Sequence, residues 1–340
     1  MIGYYAHHQG SGHLTRLQSI AGALDEPVWG LSSAPAPEGW GSGWTQLARD
    51  DDPDPEHLVR SGDPTAHGAL HWVPRGHSGL ARRAAEITAW VVEQQPRLVV
   101  VDVSVEVALL VRLAGVPTVV VAMPGDRRDR AHRLAYDTAD ALLAPWPRGT
   151  HDTAWPREWT AKAWFVGGIS RFDHLTPGQP APSPRSQGGS VLVLWGAGGR
   201  NTSAAELEAA KAATPSWTWV ERSPGVPSDI PLWDELQRAD VVVTHAGQNA
   251  VAEVAAARRP AVVVAQPRPF DEQVATARQL EAHEVAVGCE SWPAADAWPG
   301  LLRHAVERGG AGWARWSTGQ GASVAAAHLG TAGLPVGASA

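Results

Sequence analysis

Short apolar runs rich in valine recur along the chain and predict strands that are buried on both faces of a sheet. The six clearest runs are residues 2–6, 98–102, 118–122, 190–195, 240–244 and 261–264. Between these runs apolar residues recur at helical spacing, as in residues 14–24 and 77–95. This alternation of strand and helix predicts an α/β protein with parallel sheets and right-handed crossover connections.

Polar and flexible segments divide the pattern into two similar halves. Residues 170–188 are rich in proline, glycine and serine, as is typical of an interdomain linker. Residues 1–169 and 189–310 each begin with a strand and a glycine-rich turn. We therefore expect two Rossmann-like domains that face each other across a cleft. A helical stretch at 311–330 is expected to pack back on the first domain, and residues 331–340 to form a frayed tail.

Composition excludes several classes of function. The 340 residues have a net charge of −7 and no long basic block, which argues against a dedicated nucleic-acid binder. The single cysteine, Cys289, excludes an intrachain disulfide, and one free thiol favours a cytoplasmic location. Charged residues and Gly115 interrupt the most apolar segment, residues 98–123, so it predicts strand, helix and strand, not a membrane span. Peripheral contact with a membrane stays open.

The most specific pattern of the chain is THAGQNAVAE, residues 244–253. A buried strand ends at His245, and a short turn with Gly247 begins a helix that carries Glu253. Ligands of open parallel sheets bind beyond the carboxyl ends of the strands, and free N–H groups at a helix N-terminus suit a diphosphate. Taken singly, these residues are equally typical of a cap, a turn and a solvated helix face. Their combination favours a nucleotide-sugar site.

This segment and PRPFDEQ, residues 267–273, resemble the donor-binding region of GT-B glycosyltransferases, of the MurG-like and plant UDP-sugar kinds. The resemblance implies that the histidine and glycine face the diphosphate and that the glutamate binds the ribose. It also implies that Gln273, with Asp271 or Glu272, contacts the transferred sugar. Ala250 stands where serine or threonine is common in the family. The donor residues that the resemblance predicts in this region are His245, Ala246, Gly247, Gln248, Asn249, Glu253, Phe270, Asp271 and Gln273.

Two other segments extend the resemblance. FVGGISR, residues 165–171, is similar to an interdomain segment of MurG-like enzymes and has Arg171 in the place of the family's arginine. VLVLWGAGG, residues 191–199, is similar to a glycine loop of the same fold that contacts phosphate. Backbone N–H groups there could surround phosphate oxygens, although glycines also mark any tight turn from strand to helix. The predicted loop residues are Gly196, Ala197, Gly198 and Gly199.

A glycine-rich turn also follows the first strand, GSGHLTR at residues 10–16. Thr15 occupies the place of the third glycine of a dinucleotide fingerprint, which disfavours an NAD site. The turn resembles instead the Gly-x-Gly-His of GT-B enzymes, whose histidine faces the cleft. His13 would then act as general base toward an acceptor hydroxyl, since imidazole titrates near neutral pH. The predicted acceptor-side residues are Gly10, Ser11, Gly12 and Arg16.

A catalytic histidine commonly needs a carboxylate that orients it. Asp102 ends the buried strand LVVVD, in a pattern that resembles the plant-type segment whose aspartate partners the catalytic histidine. Asp102 and His13 would both lie at carboxyl ends of strands in one sheet. Two alternatives stay open: Asp102 as N-cap of the next helix, and His13 as a helix-start residue that bonds the backbone.

The expected function is an inverting transfer of a sugar from a nucleoside diphosphate sugar, with UDP or dTDP favoured, to an unidentified acceptor. Neither cofactor nor metal is expected, because the helix N-terminus and glycine loop can stabilise the leaving group. Loops at residues 33–68 and 124–133 would hold the acceptor. The nearest rival is a nucleotide-sugar hydrolase, which shares Gly-x-Gly-His-x-x-Arg and would use His13 to activate water. A UDP-sugar 2-epimerase and a non-catalytic binding module are further alternatives.

Overall fold

A computed structural model describes residues 1–51, 62–177, 188–196, 201–223, 226 and 228–332. The first half forms a seven-stranded parallel sheet in the order β3-β2-β1-β4-β5-β6-β7. Its strands are β1 (Ile2–Ala6), β2 (Val28–Ser32), β3 (Trp44–Gln46), β4 (Leu98–Asp102), β5 (Thr118–Val121), β6 (Ala141–Ala144) and β7 (Ala163–Phe165). We refer to the part built on this sheet as the first domain.

The second half forms a five-stranded parallel sheet in the order β12-β11-β10-β8-β9. Its strands are β8 (Ser190–Leu194), β9 (Thr218–Arg222), β10 (Val241–His245), β11 (Ala261–Val264) and β12 (Val287–Cys289). The part built on this sheet is the second domain. Two parallel sheets with alternating helices confirm the predicted α/β class.

Helices cover the faces of both sheets. In the first domain they are α1 (Gly12–Ala21), α2 (Ser78–Gln94), α3 (Val105–Leu113), α4 (Arg130–Thr138) and α5 (Arg157–Ala161). In the rest of the described chain they are α6 (Ala204–Ala213), α7 (Leu232–Arg238), α8 (Gln248–Ala257), α9 (Glu272–Ala282), α10 (Trp298–Arg308) and α11 (Gly321–Thr331). None of the described helices is both long enough and apolar enough to cross a bilayer.

The central strands carry the buried core, as their unbroken apolar sequences require. All five residues of β1 and of β4 are buried, and one core cluster extends from the first sheet to the second. The six predicted strands are all present, with ends that differ by at most one residue. Because both faces of these strands are buried, they could be predicted from apolar runs alone.

The last described helix belongs to the core of the first domain. Ala325 and Leu329 of α11 are buried in one cluster with Ile2 and Leu17. The structure divides the predicted helical stretch into a 3-10 turn, Ala311–Arg315, and α11. Gly319 lies between them at φ +76°, a backbone conformation that interrupts a helix. The domain boundary at the linker stays a prediction, since residues 178–187 lie outside the described residues.

Candidate active site

The carboxyl ends of the two sheets face one cleft of about 630 Å³. The turn between β1 and α1 lines one side, and the turns after β8 and β10 line the other. Predicted residues that line the cleft are Gly10, Ser11, Gly12, Arg16, Arg171, Gly196, His245, Ala246, Gly247, Gln248, Asn249 and Glu253. Ala197, Gly198 and Gly199 lie outside the described residues.

His13 and Asp102 are in direct contact beside this cleft. The Nδ1 atom of His13 lies 2.9 Å from Oδ1 of Asp102. Strands β1 and β4 are neighbours whose final residues, Ala6 and Asp102, are paired in register. The chain therefore needs only the short turn after β1 to bring the start of α1 over the carboxylate. Ser104 and not Asp102 caps α3, which removes the alternative that Asp102 is the helix N-cap.

Asp102 is fully buried and has two further partners on its other oxygen. The hydroxyl of Tyr4 donates a hydrogen bond to Oδ2 at 3.0 Å, and Nε of Arg16 lies 3.6 Å from the same atom. Burial would raise the pKa of Asp102, but the charge of Arg16 and the bonds from His13 and Tyr4 outweigh it and lower the pKa. The carboxylate is therefore ionised at neutral pH. A proton on His13 Nδ1 then satisfies Asp102 and leaves Nε2 as an acceptor.

The backbone is strained directly after this carboxylate. Val103 has φ +68°, a left-handed conformation that a β-branched residue rarely adopts. This conformation turns the chain sharply between β4 and α3. Such strain persists only where the surrounding structure over-determines it, as it does at functional sites.

His245 holds together the two glycine turns of the second domain. Its Nε2 lies 3.2 Å from the N–H nitrogen of Gly196, and its Nδ1 lies 3.0 Å from that of Gly247. Burial lowers the pKa of His245 to about 4, so the ring is neutral at pH 7 and can accept only one of these two bonds. A Cβ on Gly196 or on Gly247 would lie 2.7 or 2.5 Å from the ring. Both positions therefore need glycine because of this close approach.

Glu253 forms an ion pair with the predicted interdomain arginine. Nε of Arg171 lies 2.8 Å from Oε1 of Glu253. Glu253 is buried, which raises the pKa of its carboxyl, while the charge and hydrogen bond of Arg171 act in the opposite direction. The structure thus brings together two residues that are 82 positions apart in sequence and that the resemblance assigned to one donor site.

The N-termini of two helices meet across the cleft. Nδ2 of Asn249, in the first turn of α8, donates a hydrogen bond to the carbonyl of Gly12 at 3.1 Å. Gly12 is the first residue of α1. Residues at the start of both helices line the cleft, and the free N–H groups of helix N-termini favour an anionic ligand.

Two of the predicted sugar contacts, Asp271 and Gln273, do not line the cleft. Oε1 of Gln273, a buried residue, accepts a hydrogen bond from the N–H of Gln266 at 3.0 Å. Phe270 packs instead against His132, with a ring-centre distance of 4.7 Å. Phe270 and Asp271 have φ of +60° and +50°, so the turn that carries them is strained. Glu272 does line the cleft. A sugar role for Gln273 with Asp271 or Glu272, and a donor-binding role for Phe270, stay predictions.

Sequence reasoning missed Arg222 and placed Arg127 only within the predicted acceptor loop at 124–133, without its contact to the second domain. Arg222, at the end of β9, lines the cleft and is paired with Glu235. Arg127 is 4% exposed, and its Nη2 donates to Glu272 of the second domain at 3.0 Å. The sequence around Arg127 is typical of a solvated loop. Its neighbour Arg128 is exposed, as expected for such a loop, and pairs with Asp126, whereas Arg127 is buried. No signal in the sequence distinguishes these adjacent arginines.

Two groups of side chains in the first domain have the residue types and spacing of a metal site. They are His71, Asp129 and His132, and His8, Asp50 and Asp51. Neither group lines the cleft. In each group a carboxylate is already engaged: Asp129 caps α4, and Asp50 forms an ion pair with Arg83 at 3.0 Å. The nearby cationic side chains oppose the binding of a divalent ion.

Comparison with known proteins shows which fold this architecture is. Residues 232–295 match the model of the glycosyltransferase family 28 C-terminal domain. The glycotransferase of kitacinnamycin has a TM-score of 0.65 and 18% identity, over 98% of this chain and 99% of that chain. The chain has the GT-B fold. No curated protein sequence matches the chain.

Other GT-B structures are similar over the same extent. The spinosyn rhamnosyltransferase SpnG has a TM-score of 0.64 and 16% identity, over 97% of this chain and 99% of that chain. MurG of Acinetobacter baumannii has a TM-score of 0.63 and 15% identity, also over 97% and 99%. The matched segment contains the strand, turn and helix with His245, Gly247 and Glu253. The family model and the fold together support a glycosyltransferase of the GT-B type.

Proposed function

We propose that this protein is an inverting glycosyltransferase that moves a sugar from a nucleoside diphosphate sugar to an acceptor hydroxyl, with His13 as general base. The contact between His13 and the buried, ionised Asp102 carries the proposal. His13 lies beside a cleft whose other side resembles the donor site of a glycosyltransferase. A general base at this position could therefore deprotonate an acceptor that enters the cleft.

In this reaction Nε2 of His13 takes the proton of the acceptor hydroxyl. The hydroxyl oxygen forms a bond to the anomeric carbon from the face opposite the leaving group. The bond from that carbon to the diphosphate oxygen breaks, and the nucleoside diphosphate leaves with the electron pair. Asp102 keeps the imidazole in the required tautomer and stabilises the imidazolium that forms. A base placed in this way contributes roughly 10²- to 10⁴-fold in rate.

The second domain is proposed to bind the donor. The two glycine turns around His245 and the N-terminus of α8 would surround the diphosphate, and Glu253 would accept hydrogen bonds from the ribose. One similar structure, SpnG, is complexed with thymidine diphosphate. UGT2 of Phytolacca americana, another similar structure, is complexed with UDP-2fluoro-glucose. These complexes support a dTDP- or UDP-sugar as donor.

The acceptor is proposed to be a small molecule that enters from the first domain. Several of the similar structures are glycosyltransferases of small molecules, and SpnG is also complexed with spinosyn aglycone. The similar proteins named here are transferases, so transfer is favoured over the hydrolase alternative. We further propose that the reaction needs no metal, because helix N-termini and cationic side chains can stabilise the departing diphosphate.

A nucleotide-release assay tests this proposal. The protein is incubated with UDP-, dTDP- and GDP-sugars, with and without a panel of hydroxylated small molecules, in the presence of EDTA. The expected result is release of nucleoside diphosphate that depends on an acceptor and persists in EDTA. Equal release in water alone would identify a hydrolase, and binding without release would identify a non-catalytic module.

A further inference from the structure

Arg16 is a buried cation that lines the cleft and lacks a complete set of partners. The residue lies in α1 and is 5% exposed. Its Nη1 atom is shielded from water and has no hydrogen-bond partner. A buried guanidinium N–H without a partner is costly, and in native proteins such groups usually bind a water, an ion or a ligand.

The neighbouring carboxylate does not complete the coordination of Arg16. Asp102 bonds His13 through Oδ1 and Tyr4 through Oδ2, so both of its oxygens already have a hydrogen-bond donor. The approach of Arg16 Nε to Oδ2, at 3.6 Å, is longer than a normal hydrogen bond. The guanidinium therefore keeps donor capacity for another oxyanion.

The helix ends around Arg16 present further donors to the same region. Neither α1 nor α8 has a side-chain N-cap or an acidic residue in its first turn. Asn249 joins the two N-termini at Gly12, one turn before Arg16. The partial positive charges of both helix ends thus add to the full charge of Arg16.

The other arginines that line the cleft already have anionic partners. Arg171 is paired with Glu253, and Arg222 is paired with Glu235. Each of these two positive charges is therefore compensated by a glutamate of the second domain. Arg16 shares its single carboxylate with His13, so an incoming anion gains most from contact with Arg16.

We propose that Arg16 binds the β-phosphate of the nucleoside diphosphate, so that the first domain holds the leaving group together with the second. The inference rests on the proposed function. As the bond from the anomeric carbon to the β-phosphate oxygen breaks, that oxygen keeps the electron pair, and Arg16 stabilises its negative charge. The proton of the acceptor passes to His13, and Arg16 transfers none.

Calorimetric titration with nucleotides that differ by one phosphate tests this role. UDP, dTDP, GDP and ADP, and their monophosphates, are titrated into the wild type and into Arg16→Gln. For the diphosphate that the wild type binds, we expect affinity to fall about 10- to 100-fold in the variant, as for a lost charge-assisted hydrogen bond. The matching monophosphate should lose less than about threefold, because it lacks the contacted group.

Two further variants control for folding and for charge. Arg82→Gln, at an exposed arginine of the same domain outside the cleft, should bind both nucleotides like the wild type. Arg16→Lys keeps the positive charge but replaces the guanidinium by a single ammonium group. Its loss of affinity should be smaller and again confined to the diphosphate. If Arg16→Gln does not fold, the Arg16→Lys comparison decides.

The possible outcomes separate this inference from the proposed function. Unchanged diphosphate affinity, or equal losses for diphosphate and monophosphate, would overturn the role of Arg16 and leave the donor site intact. A wild type that binds none of these nucleotides would contradict the proposed function itself, and the inference with it.

Discussion

Largely buried neutral histidines contribute to the pH dependence of this protein's stability. His151 packs between Trp146 and Trp316, with ring-centre distances of 5.2 and 5.8 Å. Burial lowers its pKa to about 3, and the pKa of His245 is lowered to about 4 for the same reason. In the unfolded chain these rings take up protons near pH 6.5. The unfolded state therefore binds more protons between about pH 6.5 and 4, and the folded state loses stability as pH falls through that range.

Replacing His151 by glutamine should make this pH dependence shallower. Each buried neutral histidine contributes a slope of up to about 1.4 kcal/mol per pH unit, and the variant lacks one such group. Urea unfolding at several values between pH 7 and 4 measures the difference. His67→Gln serves as the matched control, since the His67 side chain is 83% exposed. An unchanged slope in His151→Gln would show that His151 is not buried as described.

The sequence could predict those site residues that lie at the ends of buried strands. The buried strands β1, β4, β8 and β10 could be predicted from their continuous apolar runs. The positions of His13, Asp102 and His245 at or just after the strand ends could therefore be predicted as well. Six strands were not predicted: β2, β3, β6, β7, β9 and β12. They are short or lie toward sheet edges, and β9 alternates between exposed and half-buried residues. Strand β3 is likewise half-buried or exposed, and β6 is a buried apolar run of only four residues, ALLA.

Contacts between distant side chains could not be predicted in the same way. The pairing of Arg127 with Glu272 and the hydrogen bond of Tyr4 to Asp102 depend on how whole elements pack. The side-chain direction of Gln273 depends on the strained turn at Phe270 and Asp271, where two successive residues have positive φ. Local sequence carries no signal for such a turn without glycine.

The turn between β10 and α8 should be sensitive to a single methyl group. Gly247 has φ −72°, which alanine adopts freely, so Gly247→Ala acts only through the clash of its Cβ with His245. We expect nucleotide affinity to fall about 10-fold, which corresponds to about 1.4 kcal/mol, because the ring must move from both glycine turns. Gly300→Ala is the matched control, since a Cβ there meets nothing within 4 Å. Wild-type affinity in Gly247→Ala would contradict the described position of His245.

At the scale of the whole molecule, the proposed base and the proposed donor site lie on different domains. His13 and Asp102 belong to the first domain, and His245 and Glu253 belong to the second. Contacts that join the two sides of the cleft include Asn249 with Gly12 and Arg127 with Glu272. Mutation of His13 should therefore affect catalysis more than donor binding, whereas Arg16 is the residue of the first domain that we propose to contact the donor.

The most direct test of His13 as general base compares turnover with donor affinity in one variant. In His13→Ala we expect turnover to fall roughly 10²- to 10⁴-fold, because the acceptor proton loses its base. Affinity for the nucleoside diphosphate, measured by calorimetry, should stay within about threefold of the wild type, because the main donor contacts lie in the second domain. Full turnover in His13→Ala, with donor affinity retained, would contradict the account.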